Sequence, residues 1–479
     1  MSERVATKQR GPTDPDGVTG RLADWLSNLT LDDVPAAVRE RAKFLLLDGI
    51  GCALVGAKLP WSALATETVL KFEGSGPHAV IGWGRTTAGP AAALLNGTFI
   101  QGFELDDFHP RGPLHSAAVV LPVLMAVAET LPAVSGAHFL LGAIKGFEVG
   151  PRVGMALHGA EMLSRGWHSG SVFGTHAAAV AAGSLLELDA AAYEDALGLA
   201  GTQSGGLMAA QFEAMCKRMH HGFAARNGLY AAHLAACGYT GIKRVFERDY
   251  GGFLAVFGEG HAPDAARITA GLGQAWETER IVVKPYAAMG ALHAPLDALF
   301  EIRSRRPLRA EQIERIDVDL SHASYHHGWW RIARPLEPIG AQMNVAYALS
   351  VALIDGAAMV AQFSPARIAA DDVWALIPKV EAHHDPAFDK SHERGSARLR
   401  IRFKDGSTEE CLKQAADATR TPLANEVVRA KFRTLTQGIV TPARAQAIEA
   451  CVLRLDQLAD VGELIRLLAP PVEPAFSAA

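Results

Sequence analysis

The chain has 479 residues, 49% of them hydrophobic and 20% charged, a balance that supports a large core and excludes a disordered chain. A formal charge of −5 provides no global attraction to nucleic acid or to an anionic membrane, so any anion site has to be local. Five scattered cysteines (Cys52, Cys216, Cys237, Cys411 and Cys451) without a C-x-x-C pair argue against a disulfide framework or zinc ribbon, and for a reducing, cytoplasmic compartment.

Residues 1–17 are polar, lack the apolar stretch of a signal peptide and read as a disordered tail. From 18 to 277 almost every segment reads as helix. Asp33 followed by Pro35 marks a helix start, with Val38, Ala42, Leu45 and Leu46 at helical spacing behind it. Pro90 opens another helix, and 137–157, 193–199 and 222–237 continue the pattern. The longest uncharged run, 167–186, is mostly Gly, Ala and Ser, the composition of a tightly packed buried helix and a poor membrane span.

The period changes near 278. Ile316, Val318 and Leu320 alternate with Asp317 and Asp319, and Ala397, Leu399, Ile401 and Phe403 alternate with basic residues ahead of an Asp405-Gly406 turn. Between these strands, 341–359 reads as one long apolar helix. Residues 421–479 return to helix. The expected fold is therefore mainly α: a large helical domain built from both chain ends (18–277 and 421–479), with a smaller α+β lid domain, 278–420, inserted near the C-terminus.

Two clusters stand out for their chemistry. Residues 104–115 bring Glu104, Asp106, Asp107, His109, Arg111 and His115 into one Pro/Gly-containing loop between apolar helices. Dense carboxylate–histidine sets serve acid–base chemistry, although Asp106 or Asp107 could equally cap the next helix. Lys217, Arg218, His220, His221 and Arg226 sit at the start of a small-residue helix, a pattern that fits an anion site or a solvated basic face. His168 lies among small residues at a helix start. Lys284 and His293 lie where the helical part passes into the α+β part, a place from which a side chain can reach an interdomain cleft. His322, His326 and His327 match no standard metal frame, and Gly49, Gly51 and Gly56 match no dinucleotide fingerprint.

These residues resemble the MmgE/PrpD family, which includes 2-methylcitrate dehydratases and cis-aconitate decarboxylases. The resembling segments are Arg39-Glu-Arg-Ala-Lys-Phe-Leu-Leu-Leu-Asp-Gly-Ile50, Phe99-Ile-Gln-Gly-Phe-Glu-Leu-Asp-Asp107, Pro113-Leu-His-Ser116, Gly166-Trp-His168, Lys217-Arg-Met-His-His-Gly-Phe-Ala-Ala-Arg-Asn-Gly228 and Tyr250-Gly-Gly-Phe-Leu254. Within the family they are most similar to the fungal, itaconate-forming type. The resemblance implies a homodimer, no cofactor and an active site between the two domains; no metal is expected from the histidine spacing. It also implies that His115, Lys217, His168 and Lys284 occupy site positions. Glu104 stands where most members carry aspartate, and Phe108 near where mammalian relatives place a threonine.

The activity so implied is decarboxylation of a small tricarboxylic acid, cis-aconitate, with no nucleic acid or membrane partner. His115 is the expected proton donor, oriented by Asp106 or Asp107, and Lys217 the group that stabilises developing charge. Glu104, His168, Arg218, Lys284 and His293 are the expected substrate-binding residues. The alternatives are dehydration or isomerisation of a related di- or tricarboxylic hydroxy acid such as 2-methylcitrate, and non-catalytic carboxylate binding.

Overall fold

A computed structural model describes residues 10–211, 214–390 and 395–476, and the architecture is mainly α. Helix Ala36–Gly56 starts at the expected signal, with Pro35 as its N-cap, and is buried along most of its length. Gly89–Ile100 covers one side of it, and Asn425–Thr436, from the far end of the chain, covers another. Gly136–Ala156 and His220–Ala236 both pack on Gly174–Leu185, which is buried throughout.

Small residues set these distances. A Cβ on Gly222 would stand 2.2 Å from the Leu94 carbonyl oxygen, and one on Gly228 would stand 2.4 Å from Ala178 Cβ. Only glycine allows that approach. Because helix His220–Ala236 lies so close to Gly89–Ile100, the 3-10 turn just before it, Met215–Met219, reaches the turn that ends Gly89–Ile100. The two clusters singled out above meet at that junction.

The α+β part holds a four-stranded sheet ordered Val380–His384, Ile313–Leu320, Ala397–Phe403, Thr408–Lys413. The first pair is parallel and the others are antiparallel. Ala397, Leu399, Ile401 and Phe403 face the core under helix His293–Arg305, as their period of two requires. On the other face Arg398 and Arg400 pair with Asp319 and with Glu410 of the flanking strands.

Several expectations need correction. Residues 10–17 are tied down: Thr13 donates to Glu194 at 2.9 Å through both its amide and its hydroxyl, and Gly17 caps a helix. Residues 1–9 of the expected tail lie outside the described residues. A short hairpin, His78–Val80 with Arg85–Thr87, interrupts the helical part. Residues 237–277 are mostly turns because glycines recur there, several at positive φ. The run 341–359 is not one helix: Asn344 caps Val345–Asp355 through the amides of Ala346 and Tyr347, and Gly356 ends it at φ 72°. The run 167–186 is likewise split, into Ser169–Val172 and Gly174–Leu185. No helix among the described residues is long and apolar enough to cross a membrane. All five cysteines are free.

Candidate active site

The loop 104–115 begins where helix Gly89–Ile100 runs out through the 3-10 turn Gln101–Phe103. Glu104 follows in the left-handed region at φ 54°, a conformation uncommon for a residue with a side chain. This turn aims its carboxylate into the protein. Lys217 pairs with Oε1, Lys284 Nζ lies 2.9 Å from Oε2, Arg218 Nη1 stands 3.4 Å from Oε1, and Gln101 Nε2 donates to it at 2.8 Å. Three buried cations therefore surround one buried carboxylate. Burial alone would raise the Glu104 carboxyl, but Lys217, Lys284 and Arg218 outweigh it and hold it well below the ordinary carboxylate value. The excess positive charge makes the place an anion site that a polycarboxylate could complete.

Lys284 reaches this point because the Phe108 and Val282 backbones exchange hydrogen bonds of 2.8 Å each, which dock the segment after Ile281 on the acidic loop. Arg218 is fixed from behind by Gln342 Oε1 at 2.7 Å, and Gln342 donates in turn to the Phe103 and Ala287 carbonyls.

Asp106 and Asp107, adjacent in sequence, have different surroundings. Asp106 Oδ2 lies 3.0 Å from His115 Nδ1. This contact sets the ring's orientation and leaves Nε2 for the cavity that His115 lines. Asp107 accepts from the amides of Ser116 (2.8 Å) and Ala117 (3.0 Å), capping helix Ala117–Ala128. Burial first, and then neighbouring Asp106, push the Asp107 carboxyl up to about 8. Both ends of the chain support this loop. Lys431 pairs with Asp48 at 2.7 Å and donates to the Leu105 carbonyl at 2.5 Å, while Arg41 donates to the carbonyls of Ile281 and Leu423.

Four histidine rings cluster beside the cations, tilted or edge-on to one another. The His168 ring lies 4.1 Å from His220 and 5.4 Å from His221, and His221 lies 4.7 Å from His115. Burial, reinforced by neighbouring histidines and Lys217, holds His168 and His221 well below the ordinary histidine value, and burial brings His220 to about 4. Near neutral pH His168 is therefore an uncharged hydrogen-bonding group, so the lysines supply the charge.

A cavity of about 260 Å³ opens here, lined by Glu104, His115, His168, Lys217 and Lys284, with Phe108 and several apolar side chains. Arg218, Asp106 and Asp107 stand behind its wall. His293 does not line it: the ring is buried, with Nε2 3.1 Å from the Ala288 carbonyl, and burial lowers its pKa to about 3. His327, which the sequence offers only as part of a histidine set that matches no metal frame, does line the cavity, and no group of three or more candidate metal ligands occurs among the described residues. Two contributors escaped the sequence reading. Gln211 is a lone amide in the apolar run Leu207-Met-Ala-Ala-Gln-Phe212, a contrast that could have marked it. Lys431 carries no local signal.

Residues 20–266 match the MmgE/PrpD N-terminal domain and residues 286–457 the MmgE/PrpD C-terminal domain. The cis-aconitate decarboxylase-like protein oryM of Aspergillus oryzae is 45% identical over 95% of this chain and 98% of its own length. A cis-aconitate decarboxylase of Aspergillus terreus is 43% identical over 98% of this chain and 99% of its own. The cis-aconitate decarboxylase of Mus musculus is 27% identical over 95% and 94% respectively.

Proposed function

This chain belongs to the MmgE/PrpD family, and on that premise we propose that it decarboxylates cis-aconitate to itaconate with its own side chains as acid, base and electrostatic groups. The observation that carries the reading is the pairing, around one cavity, of an excess of buried cations with a carboxylate-oriented histidine. A binder needs the cations alone. Proton transfer to carbon also needs the histidine.

In the proposed reaction the bond between the CH2 group and its carboxylate breaks, and the electron pair becomes the new terminal double bond. The original π pair moves toward the far carbon and its carboxylate, where Lys217 and Lys284 stabilise the charge. His115 Nε2 then delivers a proton to that carbon. Asp106, in contact with Nδ1, holds the ring so that Nε2 faces that carbon. Asp107 contributes by capping the helix that follows His115.

The proposal includes a two-domain arrangement, with the sheet and its helices as a lid over a helical body built from both chain ends. The docking of Asn425–Thr436 on Ala36–Gly56 supports the return of the chain, and the presence of His327 and Lys284 in one cavity with His115 supports a site between the two parts. A homodimer is supported by Tyr230 and Leu234, one turn apart and both exposed on helix His220–Ala236. Tyr230→Asp should then shift the sedimentation coefficient from dimer to monomer, and a wild-type monomer at micromolar concentration would sink the dimer. Exposed free thiols at Cys216 and Cys237 fit a cytoplasmic setting.

Incubation of chelator-treated protein with cis-aconitate, followed by NMR, tests the reaction. Itaconate and carbon dioxide are expected. Citrate or isocitrate, or turnover of 2-methylcitrate in place of cis-aconitate, would instead establish the hydratase or dehydratase alternative.

A further inference from the structure

Gln211 has no part in the chemistry described so far, yet its environment is unusual. The residue is 3% exposed, it lines the cavity shared by Lys217, Lys284 and His115, and its Oε1 is buried without a hydrogen-bond partner. Buried amides are ordinarily satisfied, and with Oε1 unpartnered no hydrogen bond on its oxygen side keeps this amide from rotating to aim its NH2 donors into the cavity that the residue lines. Backbone hydrogen bonds anchor the turn that carries it. Gln211 ends the 3-10 turn Met208–Gln211, the Met208 amide donates to the Gly166 carbonyl at 2.8 Å, and the His168 amide donates to Gly206 at 3.0 Å. The same backbone pairing thus holds Gln211 and His168.

We propose that Gln211 receives the carboxylate that departs as carbon dioxide, an inference that rests on the decarboxylase reading above. A carboxylate that leaves gives up its charge in the transition state. A cation clamped on it would stabilise the bound substrate more than the transition state and slow the reaction. A neutral amide can hold it by turning its NH2 toward it, while apolar surroundings favour the uncharged product. Met208, from the same turn as Gln211, and Met289, Met343 and Leu163 give the cavity that apolar lining. The lysines, gathered around Glu104, are left for the carboxylate on which charge grows.

Methylmaleate, which is cis-aconitate with the CH2-carboxylate trimmed to a methyl group, separates this role from a structural one. In Gln211→Leu the KM for cis-aconitate should rise about 10- to 100-fold, the factor carried by one hydrogen bond to a charged group, while inhibition by methylmaleate stays within about twofold. Gln211→Lys should lower KM and at the same time lower kcat at least about tenfold, because the added cation holds the leaving group. Parallel weakening of both acids in Gln211→Leu, or a kcat in Gln211→Lys equal to or above that of the wild type, would overturn the proposal. Wild-type itaconate formation is followed alongside. Should the wild type form none, the decarboxylase reading fails by itself, and calorimetric affinities of wild type and Gln211→Leu for the two acids still decide whether Gln211 senses the third carboxylate.

Discussion

Replacing His115 by alanine should lower kcat about 10²- to 10⁴-fold, the range that a positioned general acid supplies, with a much smaller change in KM. The expectation follows from geometry. His115 lines the cavity, and its Nδ1 is engaged by Asp106 at 3.0 Å, so the ring can present only Nε2 to a reacting carbon. The substitution also removes the partner of a buried carboxylate, which costs about 1–3 kcal/mol of stability, so folding has to be checked by melting before rates are compared. Asp106→Ala should lower kcat as well, and the double variant should be little worse than His115→Ala, because the two residues act as one unit. A stereochemical readout separates protonation from charge stabilisation. In D2O the wild type should place deuterium on one face of the methylene carbon, whereas residual product from His115→Ala should carry it on both. Near-normal turnover by a folded His115→Ala protein, or additive losses in the double variant, would remove His115 from the role.

The parts of this fold that were legible in the sequence are those with a local cause. Pro35 and Pro90 open helices because proline suits a helix start, and the alternation at 397–403 became a strand buried on one face. The break at Asn344 was missed because hydrophobicity alone cannot distinguish a continuous helix from two that share a capping asparagine. In the site, Glu104, Asp106 and His115 could be found because they crowd one loop. Their division of labour could not. Asp106 and Asp107 are chemically identical neighbours, and only the path of the chain into helix Ala117–Ala128 makes one orient the histidine and the other a cap. The longest links are invisible to any spacing rule. Lys284 meets Glu104 across 180 residues, and Lys431 meets Leu105 across 326, each made by packing of elements that carry no mutual signal. Family resemblance pointed to Lys284 but not to Lys431, whose contact is with a backbone carbonyl and with Asp48 beneath the site.

Glu104→Gln should be the most destabilising conservative change in the site, at about 3–5 kcal/mol, the usual cost of breaking a buried ion pair and leaving its partner uncompensated. The carboxylate counters Lys217, Lys284 and Arg218 at once, and all four groups are buried. The pH dependence has a definite sign. In the wild type the Glu104 carboxyl is held far below its ordinary value of about 4.5, so its contribution is complete above that pH and is lost as the pH falls. In the variant that acid limb disappears and another takes its place. Burial already lowers the Lys217 ammonium and Glu104 opposes it, so without Glu104 the folded state releases lysine protons that the unfolded chain keeps. Stability of the variant should therefore rise with pH, and its deficit against wild type should be largest near pH 6 and shrink toward the ordinary lysine range near 10. A tricarboxylate can take over the missing charge. Cis-aconitate should raise the melting temperature of Glu104→Gln more than that of the wild type, in which substrate has to compete with Glu104 for the same two lysines. A variant that melts with the wild type at pH 6, or one that cis-aconitate stabilises less than the wild type, would show that Glu104 is not the internal counter-ion whose place the substrate takes.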